Sequence, residues 1–180
     1  LLTGALTENK RLEGMIENIL TATRLDNANV DVHKEFINVS ERVQRILDKW
    51  SKERLSIAST IESDIEGNID PSVIEISLLN LLENAFKYSQ DTPLIEVYLK
   101  KKDKGFVLGV KDQGVGVPEK FRKTIFEKFV RIGNEETRTQ KGSGLGLYIV
   151  DQLLKMHDAQ IECLPNQPKG THFKITFTHV

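Results

Sequence analysis

The first part of the chain has the apolar pattern of an amphipathic helix. Apolar side chains recur at three- and four-residue spacing between residues 12 and 23, and this pattern predicts a helix over residues 1–26. Such a helix must bury its apolar stripe against another surface. Residues 26–31, which read DNANVD, have the composition of a turn and are interpreted as a linker.

Beyond the linker, segments with strand-like and helix-like patterns alternate. Ser40 is expected to be the N-cap of one helix, and Asp70 followed by Pro71 is a strong start for another. The pattern predicts helices over residues 41–51, 71–89 and 145–157. It predicts strands over residues 35–39, 54–61, 94–100, 106–111, 160–164 and 171–178. It also predicts a turn at 66–68, partly helical structure over 118–130 and a polar segment over 133–141. This mixture predicts an α+β fold, a two-layer sandwich in which helices cover one face of a mixed sheet.

Length and composition limit the class of protein. The 180 residues suffice for one domain with an appendage, and the composition is that of a globular protein. The net charge of −1 argues against broad nucleic-acid binding, and the single cysteine, Cys163, excludes an intrachain disulfide. No apolar run is long enough to span a membrane, and there is no signal peptide. Because the chain begins at Leu1 inside a predicted helix, we expect it to be part of a longer protein.

The helix predicted over residues 71–89 is apolar nearly all round, which is typical of a buried helix. Asn80, Asn84 and Lys87 nevertheless share one of its faces, and Tyr88 flanks them. This polar stripe faces either solvent or a polar cavity with a ligand, because buried amides and ammonium groups need partners. An Asn oxygen suits Mg²⁺, and a Lys ammonium suits phosphate.

Two glycine motifs follow. DQGVGV (112–117) comes at the end of a predicted strand, where its glycines allow close approach to a flat ligand and Asp112 could accept a hydrogen bond from an exocyclic amino group. Taken alone, this motif is better explained as a simple glycine-rich turn after a strand. GSGLGL (142–147) opens a predicted helix, where backbone amides and the helix dipole favour an anion. The second motif is neither GxGxxG, since position 147 is Leu147, nor a Walker A loop.

The segment between the two glycine motifs is basic in a chain that is otherwise acidic. Residues 118–141 contain seven basic and four acidic side chains. A basic, polar segment at this place is typical of a lid over a polyphosphate, although an ordinary solvated loop has the same composition.

Taken in order, five blocks of this sequence resemble the boxes of sensor histidine kinases. LLNLLENAFKYS, DQGVGVP, IFEKFVRI, GSGLGLYIV and KGTHFKI are similar to the asparagine box, the first glycine box, the phenylalanine box, the second glycine box and the final Gly-Thr box. The resemblance covers about residues 30–180 and implies the Bergerat fold, which gyrase, MutL and heat-shock chaperone ATPases share. It implies ATP and Mg²⁺ as cofactors and protein-histidine kinase activity in two-component signal transduction.

The resemblance also implies roles at matching positions. Asn84 would ligate Mg²⁺ with Asn80 one turn before it, Lys87 would reach phosphate and Arg131 would approach the terminal phosphate. Phe126 and Phe129 would anchor the lid. Adenine would be bound by Asp112, with Thr171 behind it, and by Tyr88, Gly114, Gly116 and Val117. The phosphates would be wrapped by Gly142, Ser143, Gly144, Leu145, Gly146 and Leu147, while Lys141, an unusual residue at its position, would add a phosphate contact or alter lid closure.

The predicted N-terminal helix resembles part of the same kinases. ENKRLEGMIENILTATRLDN is similar to the second helix of their dimerisation and phosphotransfer hairpin, so residues 1–30 are assigned to that hairpin and residues 31–180 to the ATP-binding domain. The first helix of the hairpin carries the phosphorylated histidine in these kinases. Structural or surface roles are therefore expected for the four histidines of this chain, His33, His157, His172 and His179.

The implied partners are the chain's own dimerisation helix, a second copy in a homodimer and a response regulator receiver domain, without nucleic acid and without direct membrane contact. The resemblance places the domain in the cytoplasm, as part of a membrane-anchored sensor.

One substitution favours a kinase over a hydrolase. Relatives that hydrolyse ATP have a Glu one helical turn before the Mg²⁺-binding Asn, and this chain has Asn80 there, whose amide cannot accept a proton at neutral pH. Glu83 lies about 100° from Asn84 around the helix and is not expected to replace that base. A hydrolytic Bergerat ATPase and a degenerate docking module that ignores nucleotide remain the alternatives.

Overall fold

A computed structural model describes residues 2–27, 31–53, 57–89, 93–132 and 142–178. In this part of the chain, no helix has both the length and the apolar character that a membrane span needs. The helices are α1 (Leu2–Asp26), α2 (Val39–Glu53), α3 (Pro71–Tyr88) and α4 (Gly146–Lys155), with short 3₁₀ helices at Glu119–Phe121 and Thr124–Phe126. The strands are β1 (Glu35–Asn38), β2 (Ala58–Ile61), β3 (Glu66–Ile69), β4 (Ile95–Lys102), β5 (Gly105–Asp112), β6 (Ala159–Pro165) and β7 (Thr171–Thr178).

A five-stranded mixed sheet forms one layer of the fold. Its strand order is β2-β4-β5-β7-β6, with β2 parallel to β4 and the other neighbours antiparallel. Strand β4 alternates between the two faces of this sheet, since Ile95, Val97 and Leu99 are buried while Tyr98 is only partly covered. The helices pack against the buried face, which confirms the predicted α+β sandwich.

Helix α3 lies at the centre of the helical layer. It packs against α2, α4 and β5, and its fully buried side chains include Ile74, Leu78, Leu81 and Leu82. The helix starts as predicted, with Pro71 in its first turn after the N-cap Asp70, whose carboxylate accepts a hydrogen bond from the amide of Ser72 at 2.9 Å. This helix is fixed in place by burial along its whole length, and its polar stripe has a fixed direction as a result.

The prediction that Ser40 caps α2 is wrong. The helix starts at Val39, and the side chain of Asn38 accepts the hydrogen bond from the amide of Glu41 at 2.9 Å. The buried hydroxyl of Ser40 instead donates to the carbonyl of Glu62 at 2.6 Å and accepts from the amide of Ile65 at 3.0 Å. A distant loop therefore uses this hydroxyl, and Asn38, at the end of β1, takes over the capping.

The predicted turn at residues 66–68 is also wrong. These residues belong to β3, which pairs antiparallel with β1 in a separate two-stranded sheet. Alternate burial of Gly67 and Ile69 against the core decides in favour of a strand, although Gly and Asn are common in turns. The start of the predicted strand 54–61 and the polar segment 133–141 lie outside the described residues.

Helix α1 is confirmed and packs chiefly against α4. Ala22 is buried and Leu25 packs against the core. Much of the predicted apolar stripe is not buried within this chain, since Leu12, Ile16, Ile19 and Leu20 are 47–57% exposed. The division into residues 1–30 and 31–180 stays a prediction.

Candidate functional site

A cavity of about 300 Å³ lies where the end of β5, the polar side of α3 and the start of α4 meet. It brings together most of the residues that the sequence singles out, although they come from widely separated parts of the chain. The predicted site residues on its wall are Asn80, Asn84, Lys87, Tyr88, Asp112, Gly116, Val117, Arg131, Gly142, Ser143, Gly144, Gly146, Leu147 and Thr171.

Asp112 is the buried acid of this cavity, with 3% of its surface exposed. Its Oδ1 accepts hydrogen bonds from the backbone amides of Gly114 at 2.8 Å and of Thr171 at 3.1 Å. Burial raises the pKa of this carboxyl group, while these hydrogen bonds and one from the Thr171 side chain lower it. The contact with Thr171 is direct, where the sequence left open a bridging water.

The polar stripe of α3 faces the second glycine motif. Asn80 donates from Nδ2 to the carbonyl of Ile76 at 2.9 Å, and its Oδ1 lies so close to Gly146 that a Cβ there would be 2.4 Å away. The ammonium of Lys87 would be 2.6 Å from a Cβ at Gly142 and lies 4.8 Å from the ring centroid of Tyr88. The stripe therefore lines a cavity and is not simply a solvated face.

The phenylalanine segment is connected to the second glycine motif through its backbone. The amide of Phe129 donates to the carbonyl of Gly144 at 3.0 Å, and Phe129 has a positive φ of 62°. The Phe129 side chain is 67% exposed and does not line the cavity, and its role toward the lid and the nucleotide stays a prediction. The Phe126 ring packs edge-on against Phe173, with 6.4 Å between ring centroids, and its role as a lid anchor also stays a prediction.

Two further predicted residues support the cavity from behind. Leu145 is buried beneath α4 with 1% exposure and does not line the cavity. Gly114 does not line it either, because this glycine packs against the end of α3, where a Cβ would lie 2.4 Å from the carbonyl oxygen of Tyr88. Both residues shape the cavity, and their predicted contacts with a ligand stay predictions. Lys141 lies outside the described residues.

Comparison with known proteins decides the family. The family described as "Histidine kinase-, DNA gyrase B-, and HSP90-like ATPase" matches residues 69–179. The chain belongs to this ATPase family. The matched range contains every predicted site residue, from Asn80 to Thr171.

Sensor kinases are among the similar proteins of this ATPase family. The chain is 32% identical over 179 residues to the sensor protein KdpD of Clostridium acetobutylicum, a match that covers 97% of this chain and 20% of KdpD. The structure of a mycobacterial sensor histidine kinase, MprB, has a TM-score of 0.70 and 29% identity, covering 81% of this chain and 97% of that one. The structure of full-length ShkA in complex with AMPPNP shares the fold at a TM-score of 0.82 and 22% identity, covering 99% of this chain and 38% of that one.

The chain spans between a fifth and two fifths of the length of the curated relatives it matches. It therefore corresponds to a part of those sensor proteins, the part that carries the ATPase domain.

Sequence reasoning missed several cavity residues of this ATPase domain. Glu83 was expected to point away from the site, but it borders the cavity. Three apolar residues also line the cavity, and in the sequence they look like ordinary core residues: Val115, Ile125 and Phe173. The remaining missed residues are Asn18, Val130 and Ile132. Asn18 belongs to α1, and no local signal connects that helix to a site more than sixty residues later in the sequence.

Proposed function

We propose that this chain is the ATP-binding catalytic part of a two-component sensor histidine kinase, and that it binds Mg-ATP and transfers the γ-phosphoryl group to a histidine on a dimerisation helix. One observation carries the proposal. A single cavity combines the buried acceptor Asp112 with Asn84, Lys87 and the second glycine motif. ATP requires two kinds of group in one site. Its base needs a hydrogen-bond acceptor, and its polyphosphate needs cationic and amide groups.

Adenine is placed by Asp112 in this proposal. The ionised carboxylate accepts from the exocyclic amino group, which favours adenine over guanine because guanine has a carbonyl oxygen at that position. The amides of Gly114 and Thr171 fix the carboxylate in the direction that this contact needs. The Tyr88 ring and the Val117 side chain supply flat apolar wall beside the base.

The phosphates and Mg²⁺ are held by the side of the cavity that α3 and the second glycine motif form. Within the described ranges, no group of three or more His, Cys, Asp or Glu side chains is placed to hold a metal ion. A single amide oxygen fits Mg²⁺, because this ion commonly takes one or two protein ligands and completes its shell with phosphate oxygens and water. Asn84 would be the protein ligand. Mg²⁺ would neutralise charge that develops on the phosphates, and Lys87 and Arg131 would do so directly.

Transfer to an imidazole is favoured over transfer to water because no base stands at position 80. The Asn80 amide cannot take a proton from water, and its Nδ2 is already bonded to Ile76. A histidine nitrogen attacks without needing a base of that kind, forming an N–P bond as the bond to ADP breaks. Of the described histidines, His157 is buried and His172 is hydrogen-bonded to Tyr98 at 2.8 Å, while His33 is exposed ahead of β1 and does not line the cavity. We place the acceptor on a dimerisation helix, from which the phosphoryl group passes on to a response regulator aspartate.

Slow hydrolysis of ATP is the second candidate, because the carboxylate of Glu83 borders the same cavity. A carboxylate at the rim of the cavity is placed to activate a water molecule. Steady turnover of ATP that is lost in Glu83→Gln would favour this candidate over the kinase.

The decisive experiment is a calorimetric titration with ATP and ADP, with and without Mg²⁺, and with GTP as the control. Saturable binding selective for adenine nucleotides, strengthened by Mg²⁺, supports the proposal. Addition of a dimerisation hairpin that carries the acceptor histidine should then yield acid-labile phosphate on that hairpin. Absence of nucleotide binding would leave only a docking role.

A further inference from the structure

Helix α1 contributes a residue to the wall of the nucleotide cavity. Asn18 is partly buried and lines the cavity, and no described residue makes a hydrogen bond to its carboxamide. Helix α1 packs chiefly against α4, whose first residue, Gly146, belongs to the second glycine motif.

The C-terminal end of α1 is held by two contacts that fix the position of Asn18. Asp26, two turns after Asn18, forms an ion pair with Lys128 and accepts a hydrogen bond from the hydroxyl of Tyr148 at 2.5 Å. The ammonium of Lys128 also lies 4.9 Å from the ring centroid of Tyr148. Between Asn18 and Asp26, the side chain of Ala22 is buried. Asp26 thus connects α1 both to the phenylalanine segment and to α4.

We propose that Asn18 binds the phosphate chain of the nucleotide and that Asp26 is the positioning residue that holds it there. This inference rests on the proposed function, since it assigns a further contact to the same ATP site. The carboxamide is neutral and its NH₂ group donates hydrogen bonds, which the anionic oxygens of a phosphate accept. The helix that precedes the ATPase domain then takes part in nucleotide binding, and nucleotide in turn stabilises the docked position of α1.

Asn18→Ala tests the contact, and Asn9→Ala is the matched control because it removes the same group from an exposed position on the same helix. We expect Asn18→Ala to weaken ATP binding about tenfold, the effect of one hydrogen bond to a charged group, and to leave adenosine binding unchanged. Asn9→Ala should bind both like the unsubstituted chain. Equal losses for ATP and adenosine, an unchanged ATP affinity, or tighter ATP binding would each overturn the proposal. If the unsubstituted chain binds no ATP, the proposed function itself has failed.

Asp26→Asn tests the positioning role. It removes the charge that pairs with Lys128 while keeping the size of the side chain, and we expect it to weaken ATP binding to about the same extent as Asn18→Ala. In the Asn18→Ala background the same change should have no further effect on ATP, because the two residues act through one contact. Independent, additive losses would show that Asp26 does not position Asn18. The exposed Asp48→Asn on α2 is the matched control and should have no effect on ATP affinity.

Discussion

The backbone amide of Thr171 donates a hydrogen bond to Oδ1 of Asp112 at 3.1 Å, across 59 positions of sequence. The contact follows from the sheet, since the end of β5 and the start of β7 are antiparallel neighbours with Lys111 opposite His172. The direction of the carboxylate is therefore set by strand pairing and not by a flexible side chain. This makes Asp112 a preorganised acceptor, as a base-selective site requires.

Asp112→Asn should abolish adenine recognition while leaving the fold intact. The Asn oxygen can still accept from Gly114 and Thr171, but its NH₂ group then faces the amino group of adenine, donor against donor. We expect ATP affinity to fall about a hundredfold or more, measured by calorimetry, with an unchanged circular dichroism spectrum. Asp103→Asn, in the exposed β4–β5 turn, is the control that should bind normally. Unchanged ATP affinity in folded Asp112→Asn would remove Asp112 from the site.

ATP affinity should depend on the protonation of Asp112. Burial raises the pKa of its carboxyl group above the ordinary value of 3.8, so on acidification this group gains its proton earlier than an exposed Asp. The native state then binds more protons than the unfolded chain between the two pKa values, and the contribution of Asp112 to stability falls as pH rises through that window. Acidification should therefore weaken ATP binding, although the protonation of Asp112 does not itself destabilise the fold. The carboxyl ¹³C shift of Asp112 and the ATP dissociation constant, followed together against pH, test this. Affinity that falls only together with unfolding would contradict it.

Local signals in the sequence predicted much of the fold and the site. The start of α3 at Asp70 and Pro71, its polar stripe and the two glycine motifs depend on spacing and on residue type over a few positions. These features remain where they were predicted, because each is determined by backbone geometry or by helical periodicity that the tertiary structure preserves.

The failures all involve partners that are distant in sequence. Ser40 has the type of an N-cap, but the loop at residues 62–65 uses its hydroxyl. Residues 66–68 have the composition of a turn, but pairing with β1 makes them a strand. Asn18 enters the site only because α1 packs against α4. Tertiary context decides such cases, and a single sequence does not contain it.

Substitution of two glycines in the second motif should separate stability from binding. In Gly146→Ala the new Cβ would meet Asn80 Oδ1 at 2.4 Å, and that short side chain is held by its bond to Ile76. Alanine ordinarily stabilises a helix by about 1 kcal/mol relative to glycine. If the free energy of unfolding instead falls by about 1–3 kcal/mol, the close contact with Asn80 is the cause. In Gly142→Ala the new Cβ would meet only the mobile end of Lys87, at 2.6 Å.

We therefore expect Gly142→Ala to unfold in urea within about 0.5 kcal/mol of the unsubstituted chain and Gly146→Ala to unfold at clearly lower denaturant. Both should weaken ATP binding, Gly142→Ala by displacing the Lys87 ammonium. Equal destabilisation by the two substitutions would show that the contact with Asn80 does not limit the side chain that position 146 can hold.

Cys163 should be inert in the folded protein and reactive only after unfolding. It is buried on β6 with 7% exposure, and burial raises the pKa of its thiol to about 12. Since the thiolate is the reacting species and the buried thiol is rarely ionised, alkylation by iodoacetamide at pH 8 should be at least about a thousandfold slower than for the same chain in guanidinium chloride. If ATP binds the native state alone, it should slow the reaction further, because it lowers the population of unfolded chain. Mass spectrometry of the alkylated fraction over time measures both effects. Rapid alkylation without denaturant would mean that β6 opens locally, and a rate that ATP does not change would mean that this opening leaves the nucleotide site intact.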